Sequence, residues 1–368
     1  MFWIAACLWA MGFVLIWKIP KCPPATLERT LPSVSIIIPA RNEAGTIGQL
    51  VSSIRQQSIQ PVDLLVVDDG SEDETVRIAE EAGATVLPAS PLPVGWRGKT
   101  WACQQGAIES HGDVLLFLDA DTVLQPDALK RILSVYGESG VQALSLGPYH
   151  DVHGAVEQLS GLFNLMTYAG MGAFSLFDSP HHPSGLFGPF LLIDRVAYQQ
   201  VGGHDRVRGE ILEHMVMGQR LIEAGVPVVC MGGREVVHMR MYTDGLRSLI
   251  EGWTKAFAFG ASRTRTRDLL VSIAWLSGAV MAFMMPLVAA LLATPVTWSL
   301  MIYALYVLQF LWFLRQIGSF AGWASFLYPV LLLFFFFVFI RSAVRMKTGQ
   351  TVTWKGRTIP PPQQSVGA

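Results

Sequence analysis

The chain changes its hydrophobic pattern twice. Residues 2–17 form one apolar run, followed by Lys18, Lys21 and the prolines Pro20, Pro23 and Pro24. From about Ser33 to His238, short β-branched runs alternate with helix-length segments. VSIIIPA precedes 46–56, DLLVVDD precedes 74–81, ATVL precedes 100–110, and DVLLFLDAD follows. Near-continuous apolar strands separated by helix-length stretches predict βαβ units and a mainly parallel sheet, an α/β fold. Ligands bind beyond the carboxyl ends of such strands, so the polar residues directly after these runs are the candidate site. From Leu269 the chain is apolar again in three blocks, 269–293, 296–314 and about 320–340. Each approaches the roughly 20 residues needed to cross a bilayer core.

This pattern predicts a retained N-terminal transmembrane anchor at 1–20, an α/β domain at 33–260, a C-terminal transmembrane bundle at 269–340 and a polar tail at 341–368. The first apolar run has its positive charges after it and no small-residue cleavage site, unlike a signal peptide. By the positive-inside rule, those charges and Arg263, Arg265 and Arg267 predict a cytoplasmic α/β domain on the cell membrane. Three closing spans would, against the same rule, put Arg341, Arg345, Lys347, Lys355 and Arg357 on the far side. The stretch 159–177 is almost wholly apolar but carries Gly161, Asn164, Gly170 and Gly172. A span there would split the α/β domain, so it is expected to lie at the membrane interface.

Composition narrows the field. Half the chain, 51%, is hydrophobic, 15% is charged and the mean hydropathy is +0.40, values that suit a membrane protein. The net charge of −1 gives no basic surplus for a nucleic-acid partner. Cys7, Cys22, Cys103 and Cys230 are scattered, which fits neither a disulfide framework nor a zinc cluster.

The chemistry gathers in three motifs. In Phe117-Leu118-Asp119-Ala120-Asp121, residues i and i+2 of an extended backbone point the same way, so Asp119 and Asp121 can face one Mg²⁺ or Mn²⁺. A substrate diphosphate would fill the remaining positions. Val66-Val67-Asp68-Asp69-Gly70-Ser71 offers a carboxylate to a base NH and a ribose hydroxyl, or an ordinary Asp-Gly turn. Pro39-Ala40-Arg41-Asn42-Glu43 offers Arg41 and Glu43 to the nucleotide edge, or to a salt-bridged helix start.

Together SIIIPARNE, VVDDGS and FLDAD resemble, in order and spacing, the GT-A fold of family 2 glycosyltransferases over about 33–260. The resemblance implies that Asp68 and Asp69 bind the nucleoside, Asp119 and Asp121 the metal and diphosphate, and Pro39, Arg41 and Glu43 the nucleotide pocket. Gly95-Trp96-Arg97-Gly98-Lys99-Thr100-Trp101-Ala102 is similar to a loop of the membrane-bound subgroup that glycosylates carotenoid acids, as is the tail Thr353-Trp354-Lys355-Gly356-Arg357. Lys99 and Arg97 could there offset diphosphate charge. Ser184 to Phe190, with Gly188, and Val201-Gly202-Gly203-His204-Asp205 are similar to the family's acceptor-side strand and turn. Where most relatives have Glu-Asp, this chain has Glu213-His214. Either residue could be the base. Alternatively, the acceptor is an already ionised carboxylic acid that needs none, and His214 or Arg206 and Arg208 hold the anion.

His238, after a strand-like run, could be a third metal ligand or a packed residue. The QxxRW motif of processive relatives is absent around Trp253 and Lys255, which points to transfer of one sugar with Trp253 on the acceptor side. The expected activity is inverting transfer of a single sugar, glucose, from a nucleotide-diphosphate donor, UDP-linked, to a membrane lipid. Carotenoid carboxylic acid is the acceptor the resemblance implies, with hopanoid, sterol-like and glycerolipid acceptors as alternatives. A membrane nucleotidyltransferase would carry a Gly-rich, Lys-bearing phosphate signature that PARNEAGTIG matches poorly. A transporter or scaffold would carry polar residues inside its spans.

Overall fold

Strand β1 (Val34–Ala40) is buried along nearly its whole length because both faces of its sheet are covered. Ile36 and Ile38 point into one core with Ile47, Leu50 and Ile54 of α2 (Ile47–Arg55) and Leu129 and Ile132 of α5 (Ala128–Ser139). Ile37 points into the other, with Ala102 and Cys103 of α4 (Gly98–Ile108). The computed structural model describes residues 1–26, 31–243, 245–260, 264–347, 352–354 and 357–359. Arg263 and Lys355 lie outside the described residues, as does the Lys255 side chain.

The remaining strands of the main sheet are β2 (Asp63–Asp68), β3 (Thr85–Pro88), β4 (Val114–Leu118), β6 (Ala143–Gly147), β8 (Phe190–Asp194) and β9 (Val228–Gly232). Their order is β3-β2-β1-β4-β8-β6-β9, parallel except that β8 runs against β4 and β6. A smaller sheet, β5-β10-β7, joins Thr122–Leu124, Val237–Met239 and Tyr149–His150. The helices α3 (Thr75–Glu81), α6 (Ala155–Gln158), α7 (Gly161–Gly170), α8 (Arg195–Gln200), α9 (Glu213–Glu223) and α10 (Leu246–Gly260) complete the domain. Because β1, β2 and β4 are parallel and in register, with Ala40 opposite Asp68 and Ile37 opposite Phe117, the residues after all three open onto one edge.

Three later helices are long and apolar enough to cross a membrane: α11 (Thr266–Leu291), α12 (Thr297–Ile317) and α14 (Tyr328–Lys347). The short α13 (Gly322–Phe326) precedes α14. Helix α11 starts at the catalytic domain, where Arg267 pairs with Asp178, and α12 returns to it, where Ser319 N–H donates to the His150 carbonyl at 2.9 Å. The chain then turns back along α12, so that the Tyr303 hydroxyl reaches the Phe326 carbonyl at 2.6 Å. Tyr328 begins α14 midway along the bundle, stacked on Phe310 at 4.9 Å and donating to the Ala279 carbonyl at 3.2 Å. From there α14 descends, and Ser342 donates to the Thr254 carbonyl of α10 at 2.9 Å. The third apolar block therefore starts midway along the bundle and ends against α10 of the α/β domain, with Arg341 next to Ser342 at that end.

Helix α1 (Phe2–Leu15) has 14 residues, about 21 Å at 1.5 Å per residue and short of a full bilayer core. It lies along α12: Phe2 meets Trp298 at 5.3 Å and the Trp9 indole donates to the Leu305 carbonyl at 3.0 Å. Gln309 satisfies two buried groups, accepting from Trp275 at 2.8 Å and donating to the Trp9 carbonyl at 3.0 Å.

The 159–177 stretch is not laid on a surface. Leu162, Phe163, Leu165, Tyr168 and Ala169 of α7 are buried, with α7 packed on α11, α12 and α14. Phe163 stacks on Trp253 and meets Phe335, both at 5.0 Å. Gly161 permits this approach, since a Cβ there would stand 3.1 Å from Leu314 and 3.2 Å from Phe320. A helix apolar all round is a buried one, and only Leu176 and Phe177 at the end of the stretch are exposed.

Helix α4 lies close on the sheet at Gly106, where a Cβ would sit 2.4 Å from the Ile37 Cγ2 and 3.1 Å from that of Val67. Gly106→Ala should cost about 1–3 kcal/mol by overpacking and displace Lys99, two turns away on the same helix. Thermal unfolding of the detergent-purified protein measures this. A midpoint equal to the parent's would contradict the packing.

Candidate active site

The loops after β1 and β2 are fastened to one another. Asn42 adopts φ 51°, a left-handed conformation that Asn tolerates. Its side-chain carbonyl accepts from Glu72 N–H at 2.9 Å and its own N–H donates to Ser71 Oγ at 2.9 Å. Arg41 Nη1 donates to the Asp69 carbonyl at 2.8 Å. Asp68, expected at the nucleoside, instead folds back: its carboxylate accepts from Gly70 N–H at 3.2 Å and Ser71 N–H at 3.1 Å. It shapes the turn that Gly70 closes with φ 74°, and Asp69 stands half-buried beside it at the strand edge. Glu43 accepts from the Thr46 hydroxyl at 3.1 Å, at the start of α2.

Strand β4 ends at Leu118, and Asp119 to Thr122 form a turn in which both the N–H and the hydroxyl of Thr122 donate to the Asp119 carbonyl, at 3.1 and 2.7 Å. The two carboxylates are therefore not brought together by strand alternation. Asp119 faces Lys99, whose Nζ lies 2.7 Å from Asp119 Oδ1 and 3.0 Å from Glu213 Oε1. Asp121 is an electrostatic neighbour of the Tyr242 phenol, which burial first and Asp121 second push well up.

Burial works against the Lys99 charge, but Asp119 and Glu213 outweigh it and hold the ammonium well above the ordinary lysine range. Burial likewise opposes the Glu213 anion, and Lys99 and His214 overcome it, holding Glu213 well below the ordinary carboxylate range. His214 Nδ1 stands 3.8 Å from Glu213 Oε1, beyond hydrogen-bond length, and is buried with no hydrogen bond. Gly188 makes room for it, because a Cβ would sit 2.7 Å from that nitrogen. Asp119 N–H donates to the next carbonyl, Pro189, at 3.1 Å. Pro39, Lys99, Asp119, Gly188, Glu213 and His214 thus line one cavity, together with His204, Cys103 and Met217.

Arg97 does not reach this cavity. Its N–H donates to the Arg208 carbonyl at 2.9 Å and its Nε to the Gly209 carbonyl at 2.8 Å, which fixes the start of α4. Arg206 and Arg208 line a separate cavity with Arg220.

His238 is a packed residue. Its Nδ1 lies 3.1 Å from the Asp151 carboxylate and its Nε2 is 2.8 Å from the Arg234 carbonyl, so both ring nitrogens are engaged away from Asp119 and Asp121. Trp253 is buried under Phe163 and near Tyr242, joining α10 to α7. Among the described residues no three His, Cys, Asp or Glu side chains gather to hold a metal ion. Motif reasoning named His204 only as part of a turn and did not single out Tyr242. The left-handed φ of 61° at Tyr242, uncommon outside glycine, has no signal in the sequence.

A mixed α/β sheet with carboxylates at the ends of its parallel strands, carrying three helices long and apolar enough to cross a membrane, is the frame of this site. Residues 35–192 match the family described as Glycosyl transferase family 2, and residues 114–340 match Glycosyl transferase family group 2. The chain belongs to the family 2 glycosyltransferases. It is 36% identical over 355 residues to 4,4'-diaponeurosporenoate glycosyltransferase of Staphylococcus aureus (strain USA300), an alignment covering 95% of this chain and 94% of that protein. It shares its fold with mannosyltransferase PcManGT from Pyrobaculum calidifontis, solved in complex with GDP-Man and Mn²⁺. There the TM-score is 0.54 and the identity 16%, over 94% of this chain and 98% of the other. The chain is thus a transferase acting on sugars, which sets aside the nucleotidyltransferase and scaffold alternatives.

His204 is buried in the cavity wall, its Nδ1 2.8 Å from the Tyr198 hydroxyl and its ring 4.8 Å from that of Phe117. Burial pushes its pKa from 6.5 down to about 4, and does the same to His150. Below about pH 6.5 the unfolded chain takes up protons that the folded chain refuses, so stability present above that pH is lost as pH falls toward 4. The thermal midpoint should drop between pH 7 and pH 5, and His204→Gln should flatten that drop. An unchanged slope in the variant would refute the assignment.

Proposed function

We propose that this protein transfers a single sugar, glucose, from a UDP-linked donor to the carboxylate of a membrane lipid of the carotenoid-acid type, forming a glycosyl ester with inversion. The observation that carries the reading is the state of Glu213. A carboxylate clamped by Lys99 at 3.0 Å and held below its ordinary range is a poor base. A lipid carboxylic acid has a pKa like that of a Glu side chain and arrives ionised at pH 7, so no proton has to be removed. The alignment with a carotenoid-acid glycosyltransferase over nearly its whole length supports the same acceptor.

Asp119 and Asp121 are hard oxygen donors of the kind Mg²⁺ or Mn²⁺ accepts together with donor phosphates, and a fold neighbour was solved with Mn²⁺ and GDP-Man. Bound there, such an ion would offset the charge of the departing diphosphate. Asp69, Arg41, Glu43 and Pro39 form the nucleotide side, Lys99 meets the diphosphate, and Gly188 and His214 form the acceptor side. The acceptor oxygen forms a bond to the anomeric carbon as the bond to the diphosphate oxygen breaks, and the nucleoside diphosphate leaves with that electron pair.

The catalytic domain is cytoplasmic in this reading. Residues 1–17 and 268–314 contain no Lys or Arg, so the end of the bundle remote from the catalytic domain carries no positive charge. With Cys7 replaced by Ser, Thr294→Cys in the α11–α12 loop should react with an impermeant maleimide in intact cells and Lys21→Cys should not. The reverse pattern would invert the topology.

The acceptor class is tested with matched lipid acid and lipid alcohol substrates, UDP-glucose and Mn²⁺. A positioned base contributes roughly 10²–10⁴-fold to deprotonation chemistry, so a site without one should favour the acid by at least about 10²-fold. Clear preference for the alcohol would overturn the reading and make His214 the base.

A further inference from the structure

Lys99 stands on the carboxylate that a cation would need. Its ammonium lies 2.7 Å from Asp119 Oδ1 and 3.0 Å from Glu213 Oε1, and the Glu213 side chain is only 9% exposed, so that anion cannot turn to solvent instead. The backbone around Lys99 is fixed: Arg97 is tied to the Arg208 and Gly209 carbonyls, and the Thr100 hydroxyl donates to the Arg208 carbonyl at 2.8 Å. Only the flexible lysine stem can move. Asp121 is an electrostatic neighbour of the Tyr242 phenol.

Like charges a few ångströms apart in a half-buried site repel by many times the thermal energy. A divalent cation reaching Asp119 therefore meets the ammonium already there. A diphosphate changes the balance, because its anionic oxygens offer a compact ammonium an alternative to Asp119. Glu213 Oε1, 3.0 Å from the ammonium, is its second partner.

We propose that Lys99 is a positioning residue that keeps Asp119 occupied until a nucleoside diphosphate arrives, so that divalent-cation binding depends on the nucleotide. This rests on the reading of Asp119 and Asp121 given above. Binding linkage is reciprocal, so the cation must tighten the nucleotide by the same factor.

The test uses the full-length protein in detergent, with Mn²⁺ affinity measured without nucleotide by paramagnetic resonance of the free ion. UDP and GDP affinities are measured with and without Mn²⁺. The parent should show cooperative binding. Lys99→Gln should bind nucleotide-free Mn²⁺ at least about tenfold tighter, and the mutual enhancement should shrink by a similar factor. Glu213→Gln should act in the opposite direction, because the ammonium then serves Asp119 alone: weaker nucleotide-free Mn²⁺ binding and a larger enhancement. A folded Lys99→Gln protein with unchanged affinity and coupling overturns the proposal. If that variant does not fold, tighter nucleotide-free Mn²⁺ binding by Glu213→Gln overturns it. Asp119→Asn should abolish nucleotide-free Mn²⁺ binding in the folded protein. If it does not, the assignment of Asp119 to the cation fails, whatever Lys99 does.

Discussion

One ammonium group between two carboxylates organises the catalytic half of this protein. Lys99 comes from α4, Asp119 from the turn after β4 and Glu213 from the start of α9, so a single three-point ion cluster ties together elements distant in sequence. Each member would be costly to bury alone, and each is tolerated because the others are present. The cluster also decides what the site lacks. Among the described residues that line the cavity, the carboxylates are Asp119 and Glu213, both on Lys99, and His214 is left facing the space that Gly188 keeps open.

The sheet that presents these residues divides two cores, and the division explains how the enzyme is mounted. On one side α2 and α5 close an ordinary soluble core. On the other, α4 and α9 share a continuous core with α7, α10 and the apolar bundle, passing through Phe163, Trp253 and Phe335. The catalytic domain is not tethered to its bundle by a linker. The two halves are packed as one body.

Much of this was legible in the chain. Strands with near-continuous apolar character and the acidic residues after them gave the sheet and the edge of the site, because a parallel sheet buried on both faces leaves that signature. Pro39, Lys99, Asp119, Gly188, Glu213 and His214, singled out one by one from separate motifs, line one cavity. What could not be read was side-chain direction. Asp68 turned inward to hold its own loop, His238 found Asp151, and the Asp119–Asp121 turn broke the strand alternation assumed for it. Hydropathy alone could not tell an apolar segment facing lipid from one facing protein, and 159–177, expected at a membrane interface, packs against α11, α12 and α14. Tyr242 became visible only through its backbone conformation.

The hairpin made by α13 and α14 bears on how the chain is built into a bilayer. In the proposed orientation Arg341 and Arg345, at the end of α14 that meets α10, stay on the side of the catalytic domain and are spared a transfer through hydrocarbon, which is expensive for guanidinium groups. Whatever is appended beyond Lys347, including an affinity tag or a fluorescent protein, would then share a compartment with the sugar-nucleotide pool and leave the handedness of insertion untouched.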